Sequence, residues 1–195
     1  MKKYSEANLL KDELDFIPAN SDVFSKFLYK LNKKTMVYLK INLPVSLYLR
    51  AEIFCEDIEE LSEMEFTQTD LINILYNDFL LYAKKNPDPH KIYDLLLSLD
   101  QDKKQLKLVQ ESESVFTTLR KSEYQNMQPL QIKMRRKEAL RGEVLLADIE
   151  EVVPDHGYTL EKLFELLYCD FVEKFRKENS KNVIENVLKS LIDDL

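Results

Sequence analysis

A short alternating stretch occurs twice in this chain of 195 residues. The first copy, Thr35–Pro44, reads TMVYLKINLP, and the second, Pro129–Arg136, reads PLQIKMRR. Apolar and polar residues alternate in both copies, which is typical of a β-strand with one buried face. We therefore expect two strands whose exposed faces carry hydrogen-bonding and cationic side chains. These side chains are Tyr38, Lys40 and Asn42 in the first strand, and Gln131, Lys133 and Arg135 in the second.

The similarity extends beyond the two strands. A shift of 91 or 92 positions places RAEIFCEDIEE (Arg50–Glu60) over RGEVLLADIEE (Arg141–Glu151), and FTQTDLINILYNDF (Phe66–Phe79) over YTLEKLFELLYCDF (Tyr158–Phe171). The common order and spacing of these matches predict an internal duplication. We assign residues 1–99 to a first repeat, 100–105 to a polar linker and 106–195 to a second repeat.

Two amphipathic helices are predicted after each strand. Apolar residues at helical spacing indicate one helix at roughly Val45–Glu63 in the first half and Lys137–Val153 in the second. A second helix follows in each half, with Thr67 or Thr159 near its N-cap. The predicted fold class is thus mainly α with a short antiparallel β-ribbon.

Further elements flank this core in each half. An amphipathic helix is predicted before each strand, and a last helix at about Lys91–Leu99 and Val183–Leu191. The apolar pieces LDFI (Leu14–Ile17) and LKLV (Leu106–Val109) come before the first of these helices in each half. Each piece is interpreted as a strand or a hydrophobic plug.

The order strand, helix, turn, helix resembles the ribbon-helix-helix family of DNA-binding proteins, over residues 35–85 and 129–177. In that family, two units pair their strands into a ribbon that enters the major groove. The resemblance implies two tandem units in one chain, similar to accessory proteins of plasmid conjugation, each with an extra helix before the strand and one after the core. It implies that Tyr38, Lys40, Asn42, Gln131, Lys133 and Arg135 contact bases. It also implies phosphate contacts at the start of the second core helix, at Thr67, Thr69 and Thr159.

The charge distribution bears on this expectation. The net charge of −7 alone argues against a polyanionic partner. However, residues 25–50 contain six cations and no acidic residue, and residues 120–141 contain seven cations and two acidic residues. Both windows surround a predicted strand, which favours a basic face for DNA, although lysines are also common at strand edges. We assign further phosphate contacts to Lys33, Lys34, Arg136 and Lys137.

The exposed side chains of the two strands differ in chemistry. Lys133 and Arg135 suit the acceptors of guanine, whereas Asn42 and Gln131 suit adenine. Tyr38 is expected either to stack on DNA or to be a partly buried strand aromatic. The sequence therefore predicts an imperfectly palindromic site with unlike halves, and a transcriptional regulator or a plasmid origin or relaxosome accessory factor that binds it.

Other classes of function have little support in the sequence. It contains no glycine-rich phosphate loop, GxSxG or HExxH motif, so we expect no enzyme, metal site or cofactor. Without a signal peptide or an apolar run of about 20 residues, we expect a cytoplasmic protein without a membrane partner. The alternative is a helical protein–protein interaction module, such as an adaptor, inhibitor or antitoxin, without DNA binding. Self-association, or recruitment of a DNA-processing protein, stays open.

Overall fold

The computed structural model describes residues 2–15, 35–100, 126–177, 184 and 187. Within these residues the chain is mainly helical, with six helices and one two-stranded antiparallel sheet, which confirms the predicted fold class at this level. In chain order the elements are α1 (Leu9–Asp15), β1 (Met36–Pro44), α2 (Val45–Ser62), α3 (Gln68–Lys85), α4 (Pro89–Leu99), β2 (Met127–Arg135), α5 (Arg136–Val152) and α6 (Leu160–Lys177).

The two alternating stretches, β1 and β2, pair with each other and form the ribbon. Nine residues of each strand face each other in an antiparallel register, and the central pair is Lys40 and Gln131. These two residues are also equivalent when the sequence is shifted by 91 positions. The register is therefore centred on two residues that the predicted duplication makes equivalent.

The starts of the two following helices are related by the same shift. The Val45 amide donates to the carbonyl oxygen of Asn126 at 3.2 Å, and the Arg136 amide donates to that of Thr35 at 2.8 Å. The shift of 91 positions converts one of these bonds into the other. Each strand–helix junction is thus completed by the residue that precedes the opposite strand.

One face of the ribbon belongs to the hydrophobic core. Leu39, Ile41 and Leu43 of β1 and Ile132 and Met134 of β2 are at most 1 % exposed. Helix α6 packs against β1 and helix α3 against β2, and the two helices contact each other. The burial of these apolar residues is the main source of stability, because it removes them from water.

The core helices lie close to their predicted positions, and Thr67 is the N-cap of α3. Its hydroxyl accepts the Asp70 amide, while the Asp70 carboxylate accepts the Thr67 amide, which forms a capping box. Helix α4 begins earlier than predicted, at Pro89, because Asp88 provides its N-cap.

Several predictions fall on other parts of the chain. Leu14 is neither in a strand nor in a plug, because it lies in helix α1 and is half exposed. The helix predicted before each strand, the linker beyond Asp100 and the LKLV piece lie outside the described residues. Of the last predicted helix, Ile184 and Val187 are described, and both are helical.

Candidate nucleic-acid interface

The six side chains assigned to bases lie together on one face of the ribbon, which we call the exposed ribbon face. All six are exposed: Tyr38, Lys40, Asn42, Gln131, Lys133 and Arg135. They come from alternate residues of two strands in register, so they point away from the buried face. Tyr38 is 59 % exposed, which excludes the expectation that it is a partly buried strand aromatic.

The cations of this face have few competing partners among the described residues. Lys40 lies opposite the neutral Gln131, and Lys133 lies opposite Tyr38. Arg135 has an ion pair with Glu138, at 3.9 Å, but the Arg135 side chain is largely exposed. A pair of this length and exposure contributes little energy, so the guanidinium group can turn to another anion.

Side chains of α3 and α6 bind the outer edges of the ribbon. The Asn73 side-chain amide donates to the Lys133 carbonyl oxygen at 3.4 Å. On the opposite edge, the Glu165 carboxylate accepts the Asn42 amide at 3.2 Å. Asn73 and Glu165 are equivalent residues of the repeat, as are Lys133 and Asn42, so the two contacts share a position but reverse donor and acceptor.

The sequence analysis did not predict these edge contacts, although the repeat places a polar residue, Asn73 or Glu165, at the same position of both halves. Thr69, which was predicted to contact phosphate, donates its hydroxyl to the Gln131 carbonyl oxygen at 3.4 Å. Three polar side chains on two helices thus occupy main-chain groups at the ribbon edges. An additional strand would have to displace them before it could pair there.

The phosphate contacts predicted for the first half are only partly within the described residues. Lys33 and Lys34 lie outside them. Thr67 is exposed at the start of α3, but its hydroxyl and amide form the capping box with Asp70. The phosphate roles of these residues stay predictions.

The start of α6 is covered by residues from the other end of the chain. The Leu160 amide donates to the carbonyl oxygen of Tyr4 at 2.7 Å. The Glu161 carboxylate accepts the Glu6 amide at 2.7 Å, and the Thr159 hydroxyl accepts the Lys162 amide at 3.3 Å. A phosphate at this helix start would have to replace Tyr4 as the acceptor for Leu160.

Arg136 and Lys137 differ in their surroundings although they are neighbours. The Arg136 side chain is 11 % exposed, and its guanidinium group lies 3.2 Å from Glu13 and 3.5 Å from Asp12, both in α1. Lys137 is exposed. As the chain is folded here, Lys137 is open to a phosphate, whereas Arg136 already binds two carboxylates.

Residues 2–15, which we call the N-terminal strap, are anchored on α5. Glu143 is completely buried, and its carboxylate accepts the Leu9 amide at 3.0 Å, the Leu10 amide at 2.6 Å and the Ser5 hydroxyl. It therefore caps α1 from outside that helix. The sequence contained one sign of this role, since Glu143 lies three residues before the buried Leu146 and four after the buried Ala139, on the apolar side of α5.

A second anchor joins the strap to the turn between α5 and α6. The Lys2 ammonium group lies 2.6 Å from the Glu150 carboxylate, and this hydrogen bond lowers the pKa of Glu150. His156 is buried in the same turn, stacked near the ring of Tyr4, and its Nδ1 atom accepts the Tyr158 amide at 2.9 Å. The Nε2 atom therefore carries a proton, and it lies 3.1 Å from both Glu150 and the Leu146 carbonyl oxygen.

Both cysteines lie in core helices, Cys55 in α2 and Cys169 in α6. Burial raises the pKa of the Cys55 and Cys169 thiols to about 12, so both stay protonated and weakly nucleophilic. Across the described ranges, no three or more His, Cys, Asp and Glu side chains are arranged to hold a metal ion. In the same part of the chain, no helix combines the length and apolar character required to cross a lipid bilayer.

Comparison with known proteins found no matching family model, no matching curated protein and no matching solved structure.

Proposed function

We propose that this chain is a sequence-specific double-stranded DNA-binding protein, built as two ribbon-helix-helix units, whose ribbon enters the major groove. The observation that carries the proposal is the exposed ribbon face, which presents three cations, two amides and a tyrosine opposite a face whose central residues are buried. A two-stranded ribbon fits the major groove, which is about 12 Å wide, and these side-chain types pair with base edges there.

The approximate twofold symmetry of the ribbon supports the same proposal. B-DNA has a twofold axis at each base pair, so a ribbon centred on Lys40 and Gln131 can present one strand to each half-site. The two strands are chemically unlike, because Asn42 in β1 is equivalent to Lys133 in β2. We therefore infer an imperfectly palindromic target that prefers guanine on the Lys133 side and adenine on the Asn42 side.

The tandem arrangement has a thermodynamic consequence for such a protein. Both strands belong to one chain, so the ribbon forms at an effective concentration on the order of millimolar and does not depend on protein concentration. We propose that the chain acts as a transcriptional regulator or as an accessory factor at a plasmid origin. No catalytic residue or cofactor is assigned to this function.

Selection from a pool of random-sequence duplexes tests the proposal. An imperfect palindrome should be enriched, its binding should persist at about 150 mM salt, and the affinity should fall with salt as several counterions are released. The variant Lys133→Ala/Arg135→Ala should relax the preference at one half-site by about 1–3 kcal/mol. A matched control is Lys84→Ala/Lys85→Ala, which removes the same charge from the exposed end of α3. If no sequence is enriched, the proposal is wrong.

A helical interaction module is the second candidate, and a specific surface of α2 favours it. Leu49, Ile53 and Leu61 are 51–61 % exposed on this helix. Equilibrium sedimentation of the protein without DNA tests this candidate. Self-association that the variant Leu49→Ser/Ile53→Ser abolishes, together with no enrichment of a DNA site, would favour the interaction module.

A further inference from the structure

We propose that the N-terminal strap is an autoinhibitory element that competes with DNA phosphates at the second half of the ribbon. The inference rests on the DNA-binding function proposed above, and it concerns how that binding is regulated. It starts from the fact that one segment occupies two predicted phosphate positions, Arg136 and the start of α6.

The first contact is electrostatic. Arg136 follows the last residue of β2, next to the exposed Arg135 and Lys137. Asp12 and Glu13 both lie against its Nη2 atom, at 3.5 and 3.2 Å. A phosphate oxygen binds a guanidinium group through the same kind of N–H donor as a carboxylate, so it would compete with Asp12 and Glu13 for Nη2.

The second contact is made by the main chain. Free amides at the start of a helix attract phosphate, but the Leu160 amide of α6 donates to the Tyr4 carbonyl oxygen at 2.7 Å. The Glu6 amide also lies at this end of the helix, where it donates to the Glu161 carboxylate at 2.7 Å. A phosphate group is therefore disfavoured here as long as the strap stays docked.

The strap is held by residues other than those that compete with DNA. Ser5, Leu9 and Leu10 bind the buried Glu143, and Lys2 binds Glu150. Asp12 and Glu13 follow these anchors on α1. Substitution of Asp12 and Glu13 alters the contacts to Arg136 but leaves the hydrogen bonds to Glu143 and the Lys2–Glu150 pair in place, which makes the competition separable from the docking of the strap.

The competition also has a consequence for specificity. Contacts to phosphates add affinity for every sequence, whereas contacts to bases add affinity only for the target. Because the strap masks phosphate contacts, it lowers affinity for random DNA and leaves base contacts to determine binding. The strap would thus increase specificity by weakening the binding of DNA that lacks the target sequence.

The test compares two variants with the same change of net charge. Asp12→Asn/Glu13→Gln removes both carboxylate charges that lie against Arg136, while Asp15→Asn/Glu60→Gln removes two exposed charges that lie at neither of the predicted phosphate positions. We expect the first variant to bind random duplexes about two- to fivefold more tightly, the weight of one ion pair. Its plot of log affinity against log salt should be steeper by about 0.9, that is, by one additional phosphate contact. The control variant should keep the wild-type slope.

Arg136→Gln, alone and combined with Asp12→Asn/Glu13→Gln, completes a double-mutant cycle. In the wild-type protein it should change DNA affinity less than twofold, because Arg136 is already masked. In the Asp12→Asn/Glu13→Gln background it should abolish the whole gain. Protection of the Leu9 and Leu10 amides from hydrogen exchange shows in each variant that the strap is still docked on Glu143.

The possible outcomes separate the two proposals. If the wild-type protein and all variants bind no DNA, both proposals are wrong. If the wild-type protein binds DNA but both charge variants have the same slope and affinity, only the autoinhibitory role is wrong. An equal loss of affinity from Arg136→Gln in both backgrounds would also contradict it, because Arg136 would then contact DNA with the strap in place.

Discussion

Tyr76 of α3 and Tyr168 of α6 are equivalent residues of the repeat, yet their hydroxyl groups bind different partners. Tyr76 donates to the main-chain carbonyl oxygen of Glu138 in α5, at 2.9 Å, whereas Tyr168 donates to the side chain of Gln68. The helix residues at the equivalent position differ by one methyl group. Gly142 of α5 leaves room for the Tyr76 hydroxyl, and its equivalent in α2 is Ala51.

We predict that Gly142→Ala lowers the free energy of unfolding by about 1–2 kcal/mol. A Cβ atom at this position would overlap the Tyr76 hydroxyl and lie 2.6 Å from Cδ1 of Leu160, so the core has to shift. This overpacking costs about 1–3 kcal/mol, which outweighs the gain of up to about 1 kcal/mol from helix propensity. Urea denaturation measures the difference.

Tyr76→Phe provides the matched background for this substitution. Without the hydroxyl group, part of the overlap disappears, so Gly142→Ala should cost less there than in the wild-type protein. An equal cost in both backgrounds would show that the Tyr76 hydroxyl does not determine the requirement for glycine.

The Lys2–Glu150 pair predicts a pH dependence of stability. The hydrogen bond lowers the pKa of Glu150 below its ordinary value of 4.5 and raises the pKa of Lys2 above its ordinary value of 10.5. The contribution of Glu150 is complete above its unfolded pKa and is lost as the pH falls through its folded pKa. The contribution of Lys2 is complete below its unfolded pKa and is lost as the pH rises through its folded pKa.

Denaturation of the wild-type protein and Glu150→Gln across the pH range checks this sign. The difference in unfolding free energy should be largest between about pH 5 and pH 10 and should shrink on either side. Glu151→Gln, at an exposed neighbouring position, is the control. His156 and the Asp155 amide also contact Glu150, so a difference that does not shrink above about pH 10 would show that Lys2 is not its main partner.

The central pair of the ribbon, Lys40 and Gln131, predicts the effect on DNA binding when the two residues are exchanged. Lys40→Gln should reduce the salt slope of DNA binding by about 0.9 if Lys40 contacts a phosphate, or relax the preference for one central base pair if it contacts a base. Lys40→Gln/Gln131→Lys returns the charge to the opposite strand at the same level of the ribbon. The exchange should restore most of the lost affinity. Failure to restore it would show that the strands do not share one central position on DNA.

The contact of Glu165 with Asn42 predicts that two substitutions of Glu165 differ in their effect on hydrogen exchange at Asn42. Glu165→Gln keeps an oxygen that can accept the Asn42 amide, whereas Glu165→Ala removes it. Hydrogen exchange at Asn42 should therefore accelerate in Glu165→Ala and stay near the wild-type rate in Glu165→Gln. Equal protection in both variants would mean that the edge contact does not hold the strand.

The ribbon and its core helices could be predicted because their signals are local or repeated. Alternation assigns Leu39 and Ile132 to the buried face and Lys40 to the exposed one, and the structure agrees. Thr67 followed by Asp70 is a capping pattern within four residues. Such features depend on the chain near them, so they need no knowledge of the tertiary structure.

The strap could not be predicted because its contacts join residues that are far apart in the sequence. Lys2 and Glu150, or Leu9 and Glu143, are more than 130 residues apart in the sequence. Arg136 is a cation in a basic window, and only the presence of α1 beside it shows that it is already paired. Local sequence patterns do not identify the partner of a charged side chain.

The two amides at the strand–helix junctions also bear on how the chain folds. Val45 requires Asn126 and Arg136 requires Thr35, so neither junction is complete until both strands have met. Those contacts join residues more than 80 positions apart. The entropy cost of closing such long loops is met before the favourable contacts form. Folding should therefore be slow for a helical protein of this size, and the two halves should gain their structure together rather than one after the other.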